Sequence, residues 1–224
     1  METLTYPKIQ TIWKRDPEKK YCIIPGDYSL EEFKSICRWS ISEKINGTNI
    51  RIIYEPGIPI NTPEDGVEFR GKTDNAQIPP ILLSHLQKTF IREKLDKAFS
   101  NTPVILFGEG FGKKIQKGGR YLLNSNSFAL FDVYVNGWWL TVEDVYSIAK
   151  TLNISSPPHL GIMNTDDAVS LVKNGFLSKI AEDGSLPAEG IVAKSYPLML
   201  SRGKERIVWK LKVKDYEALN RWGE

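Results

Sequence analysis

Histidine and cysteine are both scarce. The 224 residues hold two of each, His85 and His159, Cys22 and Cys37. Two cysteines are too few for a disulfide scaffold, and a zinc site built from cysteine and histidine is close to excluded. Neither histidine stands in a local motif with a nucleophile, which disfavours Ser-His-Asp and Cys-His chemistry. His85 reads as a satisfied or exposed residue within a helix, and both cysteines read as reduced packing residues, Cys37 on the apolar face of a helix. No apolar run approaches the roughly 18 residues that span a bilayer, and the segment Met1-Glu2-Thr3-Leu4-Thr5-Tyr6-Pro7 lacks a signal-peptide core. Repeats, heptads and low-complexity tracts are missing as well. The expectation is a soluble, cytoplasmic, monomeric protein with no membrane partner, whose catalysis rests on lysine, arginine, carboxylates or a bound ion.

Charge of one sign is not in excess either. Thirty basic and 27 acidic residues leave a formal charge of +3, so a polyanionic partner has to be argued from local clusters. With 41% hydrophobic residues the chain is long enough to bury a substantial core, and it reads as one domain spanning 1–224 with residues 1–28 as an irregular N-terminal arm broken by Pro7, Pro17, Pro25 and Gly26.

Ser29-Leu30-Glu31-Glu32 reads as a capping box opening a helix with Leu30, Phe33, Ile36 and Cys37 on one face. Trp39-Ser40-Ile41-Ser42 and Ile50-Arg51-Ile52-Ile53-Tyr54 read as strands joined by an Asn46-Gly47 hairpin turn. The segment 55–66 is a loop, and 67–73 a short strand projecting Arg70 and Lys72 to one side. Pro79-Pro80 starts a helix expected to run to Phe99. Strands follow at 103–112, ending in Gly108-Glu109-Gly110, and at 128–135, turned by Asn136-Gly137 into Trp138-Trp139-Leu140. Helices are expected from Thr141 to Leu152 and from Thr165 to Asn174, the second stopped by Gly175. The last strands are 189–194 and 206–213. Tight hairpins and irregular interleaving make the class α+β, with antiparallel β-sheets flanked by helices.

Single strings such as Lys44-Ile45-Asn46-Gly47 recur by chance; their order is informative. A lysine turn, an arginine strand, Phe107-Gly108-Glu109, Leu130-Phe131-Asp132, Glu189-Gly190-Ile191-Val192 and Lys210-Leu211-Lys212 follow one another. This order resembles the covalent nucleotidyltransferases, the family of polynucleotide ligases and mRNA-capping enzymes, over roughly residues 40–214. The resemblance implies the ATP-grasp-like ligase fold and makes Lys44 the nucleophile that becomes linked to a nucleotide. Asn46 stands where the usual motif has aspartate. The Gly47-Thr48-Asn49 that follows is similar to phage-type RNA ligases, Asn49 taking the place of the DNA-ligase arginine. It further implies nucleotide-site roles for Glu43, Asn49, Arg70, Glu109, Phe131, Glu189, Lys194, Lys210 and Lys212.

The residues suit those roles chemically. A lysine amine has an ordinary pKa of about 10.4 and must be tuned by neighbouring cations, burial or a metal before it attacks. Strand alternation should turn Glu43 away from Lys44, and should place Lys210 and Lys212 on one face with Trp209 and Leu211 in the core. Arg70, Lys210 and Lys212 would neutralise phosphate charge, so that Lys44, Lys210 and Lys212 form the catalytic group. Glu109 would accept from ribose hydroxyls, Phe131 would stack on a purine, and Glu189, with Glu109, would hold Mg²⁺ or Mn²⁺.

The expected function is therefore an ATP-dependent RNA ligase that joins RNA 3′-hydroxyl and 5′-phosphate ends, on a nick or a single strand, in RNA repair. The alternatives are a minimal DNA ligase, a capping-type guanylyltransferase and an inactive nucleic-acid-binding relative. Only twelve residues follow Lys212, so neither an OB fold nor a helical C-terminal domain is expected, and the basic stretch 113–120 with Arg202, Lys204 and Arg206 is the candidate grip on RNA.

Overall fold

A computed structural model describes residues 4–58, 66–115, 120–203 and 205–222. In chain order its strands are β1 (Gln10–Thr11), β2 (Trp13–Asp16), β3 (Cys22–Tyr28), β4 (Trp39–Glu43), β5 (Thr48–Tyr54), β6 (Val67–Arg70), β7 (Val104–Gly112), β8 (Asn126–Val135), β9 (Trp138–Trp139), β10 (His159–Met163), β11 (Gly190–Ser195) and β12 (Val208–Lys212). Its helices are α1 (Glu31–Ser35), α2 (Pro80–Thr89), α3 (Arg92–Phe99), α4 (Val142–Thr151), α5 (Thr165–Asn174) and α6 (Val213–Trp222). The class is α+β, and every strand pair is antiparallel except β1 with β12. The chain divides into two compact units, Lys8–Ile45 with Pro158–Glu224 and Met1–Pro7 with Asn46–Pro157. No helix among the described residues is long and apolar enough to cross a membrane.

The unit that contains Lys44 is built on a five-stranded sheet ordered β1-β12-β11-β4-β10. Alternation divides its two faces by chemistry. Trp39, Ile41, Ile191, Ala193, Trp209 and Leu211 are fully buried and pack with Phe33 of α1, Ala168 and Val172 of α5 and Tyr216 of α6. The other face carries Ser40, Ser42, Val192, Lys194, Lys210 and Lys212 at the intervening register positions. Residues 10–28, expected to be irregular, instead hold three strands. Pro25 is accommodated because β3 pairs only with β2, in a two-stranded sheet, where a missing N–H costs no second ladder. The capping box is not formed either: Leu30 is the N-cap of a five-residue helix, and the Ser29 hydroxyl donates to the Thr11 carbonyl at 2.5 Å. Cys37, past the end of that helix, is exposed, while Cys22 is buried.

The other unit holds the sheet β6-β5-β7-β8-β9. Ile50, Ile52, Tyr54, Val104, Leu106, Phe128 and Leu130 face a core shared with Leu82 and Leu86 of α2, Leu95 of α3 and Val145 and Ala149 of α4. The expected helix from Pro80 to Phe99 is two helices. Phe90 leaves helical geometry at φ −109°, ψ 64° and Ile91 is extended. The break falls in a β-branched and aromatic run, Thr89-Phe90-Ile91, where helix preference is weak. The Asn136-Gly137 hairpin forms as expected, with both residues at positive φ.

Asn46-Gly47 is not a hairpin turn. β4 pairs with β11 and β10, β5 with β6 and β7, and neither Asn46 nor Gly47 has the positive φ that a two-residue turn demands. The segment is a crossover between sheets. Gly47 is needed there for close approach, since a Cβ would sit 2.2 Å from the Gly110 carbonyl oxygen.

Candidate functional site

Lys44 follows the last residue of β4, and its backbone N–H donates to the Gly190 carbonyl at 2.8 Å. That bond sets the lysine beside the start of β11. Its Nζ donates to Glu189 Oε2 at 2.7 Å, and Lys212 Nζ reaches the other oxygen, Oε1, at 2.6 Å. One carboxylate thus bridges two ammonium groups whose side chains are only about one fifth exposed, at 20% and 21%. Burial alone would push the Glu189 carboxyl up; the Lys44 charge and the hydrogen bonds from Lys212 and Lys44 outweigh it and hold the group below the ordinary carboxylate range. Gly190 makes the arrangement possible. Its φ is +153°, and a Cβ there would stand 2.1 Å from the Leu211 carbonyl oxygen, so only glycine lets β11 approach β12 this closely.

Lys194, Lys210 and Lys212 share the polar face of this sheet by register, Val192 opposing Lys210 and Gly190 opposing Lys212. Ser40 adds a hydroxyl 3.2 Å from His159 Nε2 on the same face. Sequence reasoning missed that pair because β10 was not recognised. Glu43 points the other way from Lys44, as alternation requires. It is 1% exposed, and its carboxylate accepts from Ser178 Oγ at 2.5 Å and from the Lys179 backbone N–H at 2.8 Å. Its observed partners are a loop, and its carboxylate is spent on holding residues 178–179 beside β4.

In the other unit, Asn49 opposes Glu109, and Arg51 opposes both Phe107 and Arg70. Asn49, Arg51, Arg70 and Glu109 therefore lie on one face of that sheet. Glu109 Oε1 accepts from the Gly47 N–H at 3.1 Å, and the Asn46 N–H donates to Tyr121 Oη at 3.2 Å. Both bonds fix the backbone just downstream of Lys44. Asn49 Oδ1 is buried and has no hydrogen-bond partner, an uncompensated acceptor of the kind that a ligand donor would satisfy. Phe131 is half-buried in a cluster with Phe107, Tyr134, Trp139 and Tyr6; the Tyr6 ring meets it nearly edge-on at 5.0 Å.

Arg70 donates to Glu68 at 2.5 Å and to Asp74 at 3.1 Å. Asp74 also accepts from Arg51 Nη2 at 2.7 Å, and these two arginines hold its carboxyl below the usual range. Arg51 was not singled out from sequence. It is fully buried and also donates to the Gly71 carbonyl at 2.9 Å, so it braces the chain beyond Arg70. An arginine two positions after Asn49 in an apolar strand was the available signal.

No group of three or more His, Cys, Asp or Glu suited to a metal exists among the described residues. Glu109 lies in one unit and Glu189 in the other, and neither belongs to a cluster of three such donors among the described residues. They suit instead a Mg²⁺-like ion that keeps water and substrate-phosphate ligands and takes one carboxylate from the protein. Of the basic residues expected to grip RNA, Lys113, Lys114, Arg120 and Arg202 are exposed. Arg206 is buried, at 8%, and Lys117 and Lys204 lie outside the described residues.

A family model described as RNA ligase matches residues 38–212. No curated protein matches the chain. Among solved structures, an RNA ligase variant from Naegleria gruberi with ATP and Mn aligns with a TM-score of 0.63 at 16% identity, over 97% of this chain and 64% of that one. The same organism's RNA ligase with PPi aligns at 0.61 and 19% identity, over 96% and 63%. A further variant with AMP and Mn gives 0.62 and 16%, over 96% and 62%. The chain thus spans slightly under two thirds of the length of these proteins, and at such identity the likeness is one of fold.

Proposed function

Because the chain belongs to the RNA ligase family, we propose that it is an ATP-dependent RNA ligase that works through a covalent lysyl-AMP on Lys44. The observation that carries the proposal is the Lys44–Glu189–Lys212 bridge, set on a sheet face with Lys194 and Lys210. Two ammonium groups drawn onto one mostly buried carboxylate cost desolvation that stability alone does not require, and the arrangement is well suited to a polyphosphate.

In the first step the Lys44 amine, having lost its proton to solvent, attacks the α-phosphorus of ATP. A P–N bond forms, the bond to the bridging oxygen breaks, and pyrophosphate leaves. An oxygen of an RNA 5′-phosphate then attacks the lysyl-linked phosphorus; the P–N bond breaks and the amine regains a proton. Finally an RNA 3′-hydroxyl attacks the 5′-phosphate, and AMP departs with the former anhydride oxygen. Lys210 and Lys212 neutralise the charge that builds on the phosphate oxygens. Asn49, Glu109 and Phe131 are assigned to the nucleoside: Asn49 Oδ1 lacks a donor, and Phe131 offers an aromatic surface to the base. Glu189 is the carboxylate for a divalent ion, which when bound would polarise the phosphates.

Intact-mass measurement after incubation with ATP and Mg²⁺ or Mn²⁺ tests the reading. Wild type should gain one AMP and Lys44→Ala none. An adduct only with GTP would favour a guanylyltransferase, and no adduct with any nucleotide would favour an inactive nucleic-acid-binding relative. Sealing of nicked or single-stranded RNA against DNA identifies the polymer. The Mg²⁺ or Mn²⁺ requirement, the RNA partner, a monomeric state and a cytoplasmic location are part of the same proposal.

A further inference from the structure

The unit containing Lys44 has a groove of about 630 Å³ at the β1 edge of its sheet, lined by the N-terminal segment from Lys8 to Arg15, by Ser29, and by β12 and the start of α6. Six of its lining residues are cationic, Lys8, Lys14, Arg15, Lys210, Lys212 and Lys214, against the single carboxylate of Asp215. Asp215 is already occupied. It accepts from Arg15 Nη2 at 2.8 Å and from the Lys212 backbone N–H at 3.0 Å, which ties the N-terminal strands to the end of β12. Lys14 pairs with Asp27 at 2.8 Å. Lys8 and Lys214 are exposed, and neither appears in any ion pair or side-chain hydrogen bond of the described residues. The groove therefore begins at Lys212, beside Glu189, and continues to the exposed cations Lys8 and Lys214.

We infer that this groove is a docking site for the phosphodiester backbone of the RNA strand whose 5′-phosphate is activated, with Lys8 and Lys214 as its outer phosphate contacts. The inference rests on the ligase reading of Lys44. A nucleoside triphosphate would be served by Lys210 and Lys212 next to the nucleophile, whereas cations set beyond them along the sheet edge suit a ligand that extends further, as a polynucleotide does. β1 is the edge strand and offers no carboxylate to repel a chain of phosphates. This placement gives the N-terminal segment a function that neither its irregular sequence nor the matched span of residues 38–212 assigns to it.

The test uses the full chain with both outer lysines changed, Lys8→Gln with Lys214→Gln, and the charge-preserving Lys8→Arg with Lys214→Arg. Binding of a 5′-phosphorylated RNA oligonucleotide is measured by fluorescence anisotropy across a salt series, and AMP-adduct formation separately by mass. The glutamine variant should form the adduct within twofold of the wild-type rate. Its RNA affinity should fall about tenfold, and the slope of log K against log salt should shrink by about 1.4, the value for two lost contacts to a single strand. The arginine variant should keep both affinity and slope. Unchanged RNA affinity and slope in the glutamine variant would overturn the inference. So would an adduct rate that falls in step with affinity, because that assigns the lysines to the triphosphate. The binding arm needs no catalysis, so failure of wild type to form an adduct refutes the ligase reading without being confused with failure of the groove.

Discussion

Replacing Glu189 with glutamine removes the one negative charge between Lys44 and Lys212 while keeping the side chain's shape. The carboxylate makes two charge-assisted hydrogen bonds, at 2.7 and 2.6 Å, each worth about 1.5–3 kcal/mol. Its own 13% exposure means that part of this gain is offset by desolvation. Glutamine retains one acceptor and turns an NH₂ donor towards an ammonium, leaving two cations uncompensated. The expected net cost is about 3 kcal/mol, or roughly 6–12 °C in Tm for a chain of this size. The dependence on pH has a definite sign. Glu189's folded pKa lies below its ordinary value of 4.5, so the bridge contributes fully above that value and is lost as pH falls through the folded pKa. Thermal melts from pH 3 to pH 8 should therefore show wild type well above Glu189→Gln at neutral pH and the two curves converging in acid. In the adduct assay the variant should lose at least about a hundredfold in rate, the scale for removing one electrostatic group from a reacting centre. A variant with wild-type Tm at pH 7 would refute the bridge as a stabilising element. A faster adduct rate would show that Glu189 only sequesters the Lys44 amine and does no work on the nucleotide.

Three further outcomes follow from the geometry. Gly47→Ala places a Cβ 2.2 Å from the Gly110 carbonyl oxygen, so the crossover downstream of Lys44 must shift; melts should show a loss of about 2–3 kcal/mol, and adduct formation should collapse. Phe131→Ala should weaken ATP binding by about 10- to 100-fold, the range for losing one base–aromatic stack, while Phe131→Tyr should retain it; titration calorimetry distinguishes the two. Glu43→Gln breaks the charge-assisted bonds with Ser178 and Lys179. It should cost about 2 kcal/mol in stability while leaving ATP affinity unchanged, which separates a structural carboxylate from a nucleotide ligand.

The sequence was most readable where side-chain period and element coincide. Lys210 and Lys212 alternate with Trp209 and Leu211, and the structure has the tryptophan and leucine in the core and the lysines opposite. Glu189-Gly190 was readable as a carboxylate beside a close-packing glycine, but its two lysine partners, 145 and 23 positions away, required the tertiary fold. The hairpin assigned to Asn46-Gly47 failed for a related reason. The dipeptide has turn-forming residues, yet its conformation is set by Gly110 and Glu109 on another strand. Asn136-Gly137 carries the same dipeptide and does form the turn, so local preference could not separate the two. The strands within residues 10–28 and β10 were hidden because their apolar residues are too few and too interrupted to mark a period. The break at Phe90-Ile91 was hidden because the apolar stripe continues across it, with Leu95 packing in the same core as Leu86.

The central claim is that Lys44 becomes covalently attached to AMP. Wild-type protein incubated with ATP and Mn²⁺, digested and mapped by mass spectrometry, should carry AMP on the peptide containing Lys44, at substoichiometric or full occupancy. The adduct should disappear when pyrophosphate is added back. AMP found on a different residue, or no adduct from a folded protein, would contradict the account.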